Sequence, residues 1–190
     1  MLNFILSFFN KLRIKRATPT QRAEILRDKF YYIGKNVKLH TIDIGTEPYL
    51  ISIHDNVTIA SNVHFITHDV SCFNMARYLG LDSYCLDKVG SIELYENCFI
   101  GAETILMPNC SVGRNSVVAA GSIVTKRIPD NEVWAGAPAK FVMTVQEYAN
   151  KVKCNAEKYP WVDKNNHKIL DVSHQELVEM RQNFFFKSKK

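Results

Sequence analysis

The stretch "LYENCFIGAETILMPNCSVGRNSVVAAGSIV", residues 94–124, decides the fold, because an aliphatic residue occupies every sixth position in it. The recurring residues are Leu94, Ile100, Leu106, Val112, Val118 and Val124. A period of six matches neither the 3.6-residue repeat of an α-helix nor the two-residue alternation of a strand. The spacing therefore predicts a repeat architecture built from short, equivalent segments.

Two further places of the six-residue frame explain how such segments can be joined. The fifth place is small or compact, as in Cys98, Thr104, Cys110, Ser116 and Ser122. The fourth place is asparagine or glycine, as in Asn97, Asn109, Asn115 and Gly121, and these residue types best tolerate a positive φ. The frame thus predicts short strands separated by tight corners, with three sides closing one triangular coil. Stacked coils would bury the first and fifth places in one continuous column.

The same frame occurs earlier in the chain and is interrupted once. It gives Ile53, Ile59 and Phe65, and a weaker frame runs from Ile33 to Leu39. Between Asp69 and about residue 89 the frame is lost over a stretch too long for a corner, and long excursions from a compact scaffold are usually functional. We therefore predict a coil domain over residues 33–142 with a protruding loop at residues 70–88.

The two flanks of the coil domain show different patterns. Residues 1–32 contain an apolar and basic start followed by a helix capped by Thr18. Residues 143–190 predict a helical extension, with Ser173 as a second cap three residues before a glutamate. The run "MLNFILSFFNKLRIKR" is too short to span a bilayer, and its charges follow the apolar part, unlike a secretory signal. Two alternatives remain open for it: weak association with a membrane surface, or packing against the protein itself.

Composition limits the classes of partner and compartment. The net charge is +5 and basic residues cluster at both ends, which is typical of solvated termini and leaves attraction to a phosphorylated ligand or an anionic membrane face as the alternative. No nucleic-acid-binding motif is present, so a nucleic-acid partner is not expected. Five cysteines without a CxxC pair argue against a disulfide framework and against a cysteine zinc site. A reducing, cytoplasmic compartment fits best, and a peripheral position at the inner membrane face remains open.

The coil pattern and the segment "CFIGAETILMPNCSVGRNSVVAAGSIVTKRIPDNEVWAGAPAK", residues 98–140, resemble the hexapeptide-repeat acyltransferases. The resemblance covers roughly residues 30–142 and extends to galactoside, maltose and capsular-polysaccharide O-acetyltransferases. It implies an all-β-dominated fold, a left-handed parallel β-helix, with helices at both ends. It also implies acetyl-CoA as co-substrate, no metal, and a C3 homotrimer with each site between two subunits.

The resemblance assigns coenzyme contacts to particular residues. Along the pantetheine arm it implies Gly101, Ala102, Ala120 and Gly121, whose small side chains let the arm approach the backbone. Toward the adenosine and the phosphates it implies Thr125, Lys126 and Lys140, with lysine as a point charge. For Trp134 two interpretations stay open: stacking on the adenine, or capping the core.

The segment "NVHFITHDVSC", residues 62–72, contains two of the six histidines. His64 falls beside a strand on a coil face, whereas His68 takes the corner place that other frames give to asparagine, at the root of the loop. A metal site is disfavoured, because the HxxxH spacing is one residue shorter than the HxxxxH pair of the γ-class carbonic anhydrases on this scaffold. A purely structural histidine is the second interpretation.

The third interpretation of His68 is catalytic. The segment "ITHDV" resembles the one that carries the catalytic histidine in sugar O-acetyltransferases. A neutral imidazole has a pKa near working pH, so it can accept the proton of an attacking hydroxyl. Asp69 is the predicted helper that orients the ring, although adjacent side chains usually point apart, so another carboxylate or a carbonyl remains an alternative.

The acceptor side has weaker signals. The stretch "IGTEPYLISIHDN", residues 44–56, resembles a region near the acceptor pocket of polysaccharide O-acetyltransferases, which implies Glu47 and Tyr49 as sugar-binding residues. Arg77 of the loop is a third candidate. The sequence thus predicts an acetyl-CoA-dependent O-acetyltransferase acting on a sugar or surface-polysaccharide precursor. The alternatives are an N-acetyltransferase of an amino sugar or small amine, and an inactive β-helix scaffold.

Overall fold

A computed structural model of the chain describes residues 12–82, 85–163, 165 and 168–187. These residues form two compact units, which divide between Val145 and Gln146. The apolar run up to residue 11, for which membrane association or packing was predicted, and Tyr84 of the loop lie outside the described residues.

The first unit is a stack of short strands. Its elements, in chain order, are α1 (Pro19–Leu26), β1 (Tyr32–Ile33), β2 (Lys38–Leu39), β3 (Ile51–Ile53), β4 (Thr58–Ile59), β5 (His64–Phe65), α2 (Ser71–Tyr78), β6 (Ile92–Leu94), β7 (Phe99–Ile100), β8 (Ile105–Leu106), β9 (Cys110–Val112), β10 (Val117–Val118), β11 (Ile123–Val124), β12 (Glu132–Ala135) and β13 (Lys140–Thr144). Short 3-10 turns lie at Arg27–Lys29 and Pro48–Leu50.

Three sheets form the sides of the stack. Their strand orders are β1-β3-β6-β9, then β13-β12-β10-β7-β4-β2, and β11-β8-β5. All pairs are parallel except β12 with β13, which is antiparallel. Val118 lies opposite Ile100 and Val124 opposite Leu106, so one coil contains eighteen residues. Three sides of six residues each give this number, which confirms the predicted triangular coil.

The core runs along the axis of the coils, as the frame predicts. The first-place side chains from Leu94 to Val124 are at most 1% exposed. The fifth-place residues are also buried, including the polar Thr104, Ser116 and Ser122. Ser122 satisfies its hydroxyl by donating to the Ala119 carbonyl at 2.6 Å, as a buried polar group requires.

The corners have the conformation that the asparagines predict. A positive φ occurs at Asn36, Asn56, Asn62, Asn97, Asn109 and Asn115. Stacked corner asparagines also bond to each other, since Asn97 Nδ2 donates to Asn115 Oδ1 at 2.9 Å and Asn115 Nδ2 to Asn131 Oδ1 at 2.8 Å. One corner departs from the pattern: Glu103 takes a φ of 59°, a conformation that asparagine and glycine tolerate better than glutamate.

Both ends of the stack are closed. At the start, Thr18 and Gln21 form the capping box of α1, which ends at Leu26. Arg22 of α1 is buried and donates to the carbonyls of Leu39 at 2.6 Å and His40 at 3.0 Å. At the other end, Trp134 of β12 belongs to the core cluster. This position agrees with the interpretation that Trp134 caps the core.

The interruption leaves the coil and returns to it without disturbing the stack. Phe65 lies opposite Leu106, an offset of forty-one residues instead of eighteen. The added segment contains α2, with Cys72 and Ala76 buried. What the sequence presents as a loop therefore contains a two-turn helix.

The second unit has its own small elements: α3 (Val145–Ala156), β14 (Val162–Asp163), β15 (Lys168–Ile169), α4 (His174–Gln182) and a π-helical turn at Asn183–Lys187. Ser173 caps α4 through a capping box with Glu176. Tyr159 and Trp161 stack with ring centroids 4.8 Å apart. Within the described parts of both units, every helix is too short or too polar to cross a bilayer. All five cysteines are free thiols, as their number and spacing predict.

Candidate active site

His68 lies where the chain leaves the coil stack, held between the two ends of the protruding loop. His68 forms an antiparallel bridge with Val89. Asp69 donates its amide to the Lys88 carbonyl at 2.8 Å, and Gly90 donates to the Thr67 carbonyl at 2.8 Å. These backbone bonds hold the histidine on a rigid junction, which is where a functional side chain is best positioned.

Glu47 faces one side of the His68 ring. Its Oε1 atom lies 3.6 Å from His68 Nδ1. Its carboxylate also accepts hydrogen bonds from Thr67 Oγ1 at 3.1 Å and from the Tyr49 hydroxyl at 3.4 Å. The distance to His68 is longer than a hydrogen bond. Glu47 is thus the carboxylate that faces the Nδ1 side of the ring.

The Nε2 side of His68 faces the protruding loop. Asp87 Oδ1 lies 3.2 Å from Nε2, but off the direction of a hydrogen bond, so Nε2 is buried without a hydrogen-bond partner among the described residues. The ring of Phe73 meets His68 edge-on with centroids 6.1 Å apart. A buried ring nitrogen without a partner is costly unless it serves a purpose.

Asp69 does not contact His68 in this arrangement. Its carboxylate accepts from the Ser71 amide at 3.0 Å and from the Lys88 ammonium. The bonds from Lys88 and Ser71 hold the pKa of the Asp69 carboxyl well below its usual range. Asp69, which the sequence predicts as the orienting acid, thus bonds to Ser71 and Lys88. The carboxylates that face the His68 ring are those of Glu47 and Asp87. Glu47 lies twenty residues before Thr67, the same offset that pairs Leu39 with Ile59. Because the regular frame gives eighteen residues per coil, the spacing did not single out Glu47.

A cleft of about 340 Å³ opens beside His68, lined in part by Asp43, Gly45, His64 and Thr67. It adjoins a second cleft of about 680 Å³, since both are lined by Asp43 and His64. His64 lies on the exposed side of β5 with Nδ1 3.3 Å from Asp43 Oδ2. His64 is thus a face residue, as its place in the frame predicts.

Tyr49 lines a separate cleft of about 330 Å³ on the first sheet, together with Tyr31, Ser52 and Glu93. Its ring is 57% exposed. Partial loss of solvation and the nearby Glu47 charge raise the pKa of the Tyr49 hydroxyl. Arg77 is exposed on α2, four residues after Phe73, so both lie on one face of that helix.

Four of the predicted coenzyme residues come together at one corner. A Cβ atom added to Gly101 would lie 2.4 Å from the Ala120 amide nitrogen, and Gly121 donates its amide to the Ala102 carbonyl at 2.8 Å. These residues form a small-residue column, Gly101, Ala102, Ala120 and Gly121, in which the coil backbones meet at Gly101 and open space lies beside Gly121. The column precedes β8 and β11, whereas His68 follows β5, so the two lie at opposite ends of the strands of one sheet.

The remaining coenzyme candidates are more dispersed. Lys140 pairs with Ala135 at the next coil of the same corner. Thr125 and Lys126 follow β11, at the other end of that strand. Lys126 Nζ lies 5.4 Å from the centre of the Trp134 ring, a cation–π contact. All three candidates are exposed.

Known proteins resemble this chain in sequence and fold. Residues 96–126 match the family described as bacterial transferase hexapeptide (six repeats). The chain is 34% identical over 163 residues to protein CapG of Staphylococcus aureus, covering 84% of this chain and 92% of that protein. It is 31% identical to the galactoside O-acetyltransferase of Lactococcus lactis, covering 70% of this chain and 72% of that enzyme.

A solved structure shows the same fold. It is a hexapeptide-repeat-containing acetyltransferase from Vibrio cholerae in complex with acetyl-coenzyme A, which superposes with a TM-score of 0.55 at 20% identity, covering 71% of this chain and 82% of that one. The fold is that of the left-handed β-helix family. The repeat, the matched relatives and the fold agree, and the chain belongs to the hexapeptide-repeat acyltransferases.

Proposed function

We propose that this acyltransferase moves the acetyl group of acetyl-CoA to a hydroxyl of a sugar or surface-polysaccharide precursor, with His68 as the general base. One observation carries the proposal: the His68 ring lies between two carboxylates, with Nδ1 3.6 Å from Glu47 and Nε2, which makes no hydrogen bond, 3.2 Å from the exposed Asp87. A ring with its N–H toward Glu47 can accept the hydroxyl proton on Nε2 once the exposed Asp87 side chain moves aside.

The residues support direct transfer. The neutral His68 ring accepts the acceptor's hydroxyl proton on Nε2 while the hydroxyl oxygen forms the new ester bond to the acetyl carbon. The thioester bond breaks, and His68 returns the proton to the departing sulfur. During the step Glu47 stabilises the imidazolium, because an opposite charge favours the protonated ring. No cysteine is required as a nucleophile, and no covalent enzyme intermediate forms.

The acceptor enters through the cleft beside His68. A sugar is recognised by hydrogen bonds to its hydroxyls and by aromatic faces. At the back of this cleft, Glu47 supplies a hydrogen-bond acceptor and Tyr49 a hydroxyl group. Tyr49 also lines the neighbouring cleft that contains Tyr31. Arg77 on the exposed face of α2 serves charged precursors. The similarity to a galactoside O-acetyltransferase favours a sugar hydroxyl.

Acetyl-CoA lies along the small-residue column, with Lys140, Thr125 and Lys126 toward its phosphates. The fit rests on Gly121, which has open space beside it, whereas Gly101 allows the close approach of two coil backbones. Because the column and His68 lie at opposite ends of one sheet, we infer a C3 homotrimer in which the column of one chain faces His68 of the next.

The test is an acceptor panel with purified full-length protein and acetyl-CoA, read by released CoA thiol. Each hydroxyl sugar is paired with its amino analogue, such as galactose with galactosamine, and a reaction without acceptor measures hydrolysis. Faster thiol release with the hydroxyl sugars supports the proposal. Preferential use of the amino sugars, or thiol release no faster than hydrolysis with every acceptor, contradicts it.

A further inference from the structure

We propose that the root of the protruding loop binds one zinc ion through His68, Cys72 and Asp87, and that zinc bound there inhibits the enzyme. Binding is a property of these three side chains. Only the inhibition rests on the proposed role of His68 as the base.

The three side chains converge on one point. A ring nitrogen of His68, the thiol of Cys72 and a carboxylate oxygen of Asp87 all lie within 4.8 Å of one another. His68 Nε2 and Asp87 Oδ1 are 3.2 Å apart. Two ligands bound to one tetrahedral zinc at about 2.0–2.3 Å lie roughly 3.3–3.7 Å from each other. The pair is therefore already at ligand spacing, and the thiol has to approach by about 1 Å at most.

The chemistry of the donor set selects the metal. One imidazole nitrogen, one thiol and one carboxylate form a mixed nitrogen, sulfur and oxygen set, which suits the borderline-soft Zn²⁺ better than Mg²⁺ or Ca²⁺. Three protein ligands leave a fourth position for water. Zinc replaces the proton of the Cys72 thiol, so binding releases a proton to the buffer.

The surroundings prepare the site. His68 is held by its backbone bridge to Val89, and Glu47 faces the opposite ring nitrogen, as an outer carboxylate does for metal-bound histidines. Cys72 is buried in the first turn of α2. Asp87 is exposed, with 67% of its side chain accessible, so it can adjust to the metal. No described residue forms a hydrogen bond with His68 Nε2, and the zinc ion gives this atom a partner.

The consequence for catalysis follows from the shared nitrogen. An imidazole whose Nε2 is bound to zinc cannot accept a proton from the acceptor. Zinc therefore competes directly with the general-base step. The loop root becomes a switch that turns acetyl transfer off when free zinc rises.

Zinc binding is measured by calorimetry, in which zinc chloride is titrated into the full chain without acetyl-CoA or acceptor. We expect one zinc per chain in the wild type. Loss of an outer-shell partner typically weakens metal binding by about 10–100-fold, so Cys72→Ala, which removes a direct ligand, should weaken it at least about 100-fold. Cys85→Ala is the matched control, because Cys85 is an exposed free thiol of the same loop; it should bind zinc like the wild type.

Cobalt supplies a spectroscopic signature. Co²⁺ bound to a thiolate gives an intense near-ultraviolet charge-transfer band, which should appear in the wild type and in Cys85→Ala and be absent in Cys72→Ala. Asp87→Asn, at an exposed position, provides a second weakened variant if Cys72→Ala fails to fold. Unchanged zinc affinity in Cys72→Ala and Asp87→Asn, or no zinc binding by the wild type, overturns the site.

The inhibition test adds zinc to the acetyl-transfer assay. We expect wild type and Cys85→Ala to lose activity over the zinc range in which they bind it, and Cys72→Ala to keep its basal activity there. Zinc bound at full affinity without loss of transfer overturns the inhibitory role and also counts against His68 as the base. Calorimetry and the cobalt band decide the site itself even if no acceptor is turned over.

Discussion

Two regions of the first unit differ in how their sequence relates to their structure. In the unbroken coils from Leu94 to Val124, every sixth residue is aliphatic and buried, and every corner has the conformation that its residue type favours, except at Glu103. In the loop between Asp69 and Val89 the frame disappears, and several large apolar side chains are exposed, such as Tyr78 at 84%. The coils hold the backbone in place, and the interruption brings the reactive groups together.

The difference teaches where stability and chemistry are located. Each coil buries its inward residues against two neighbouring coils, so the loss of one side chain affects the whole column. At the loop root, the carboxylates of Glu47 and Asp87 instead face the ring of His68, whose Nε2 atom is buried. Groups at such a junction can be changed with little effect on the stack, and they are expected to affect the reaction.

The largest effect is expected from a change inside the column. Ile100 is fully buried, so Ile100→Ala should lower the free energy of unfolding by about 2–5 kcal/mol. Leu81→Ala is the matched change in the loop, where the side chain is 47% exposed, and it should alter stability by no more than about 0.5 kcal/mol. Urea unfolding of both variants measures the contrast. Similar losses for the two changes would remove the distinction between the regions.

The next effect concerns Glu47, the acid proposed to orient His68. Glu47→Gln should lower kcat by at least about tenfold, because the carboxylate that stabilises the imidazolium is lost. Asp69→Asn should have a smaller effect on kcat, since Asp69 binds Ser71 and Lys88. Steady-state kinetics with a sugar that the enzyme acetylates gives both values. A greater loss from Asp69→Asn would return the orienting role to the residue that the sequence suggested.

A smaller effect is expected at the corner that departs from the pattern. Glu103 holds a positive φ and accepts a hydrogen bond from Asn62 Nδ2 at 2.7 Å. Asparagine tolerates this conformation better and can accept the same bond, as in the ladder from Asn97 to Asn131. Glu103→Asn should therefore raise the free energy of unfolding by up to about 1 kcal/mol. A lower melting temperature for this variant would show that Glu103 has a stabilising contact beyond the corner.

The smallest effect is a difference in reactivity between the buried thiols of the coils and the exposed thiols. Burial raises the pKa of Cys98 and of Cys110 to about 12. In the folded protein these thiols should react far more slowly with a thiol reagent at pH 8 than the exposed Cys85 and Cys154. Raised folded pKa values also mean that the thiols stabilise the fold below their unfolded value of about 9, and that this contribution is lost as pH rises toward 12. Rapid modification of Cys98 or Cys110 in the folded protein would contradict the closed column.

The sequence predicts the coils well because local backbone geometry and burial determine the residue type at each position there. Asparagine at a corner and an aliphatic residue at the first place follow from backbone geometry and burial alone. The site depends instead on contacts between coils and across the loop. His68 could be singled out by its place at the break, but Asp87 and Cys72 had no pattern to mark them, and Glu47 was predicted for the sugar rather than for the histidine. The helix α2 within the loop was also not predicted, because the interruption has no clear helical period.

The most direct test of the central claim is the turnover number of His68→Ala, measured beside His54→Ala. His54 is a histidine of the same coil stack whose ring contacts Glu93 and stacks on Tyr95. Circular dichroism first establishes that both variants are folded. The kcat of His68→Ala should then be about 10²–10⁴-fold lower than that of the wild type, as expected for removal of a general base. His54→Ala should turn over like the wild type. A folded His68→Ala enzyme with the wild-type kcat would contradict the account.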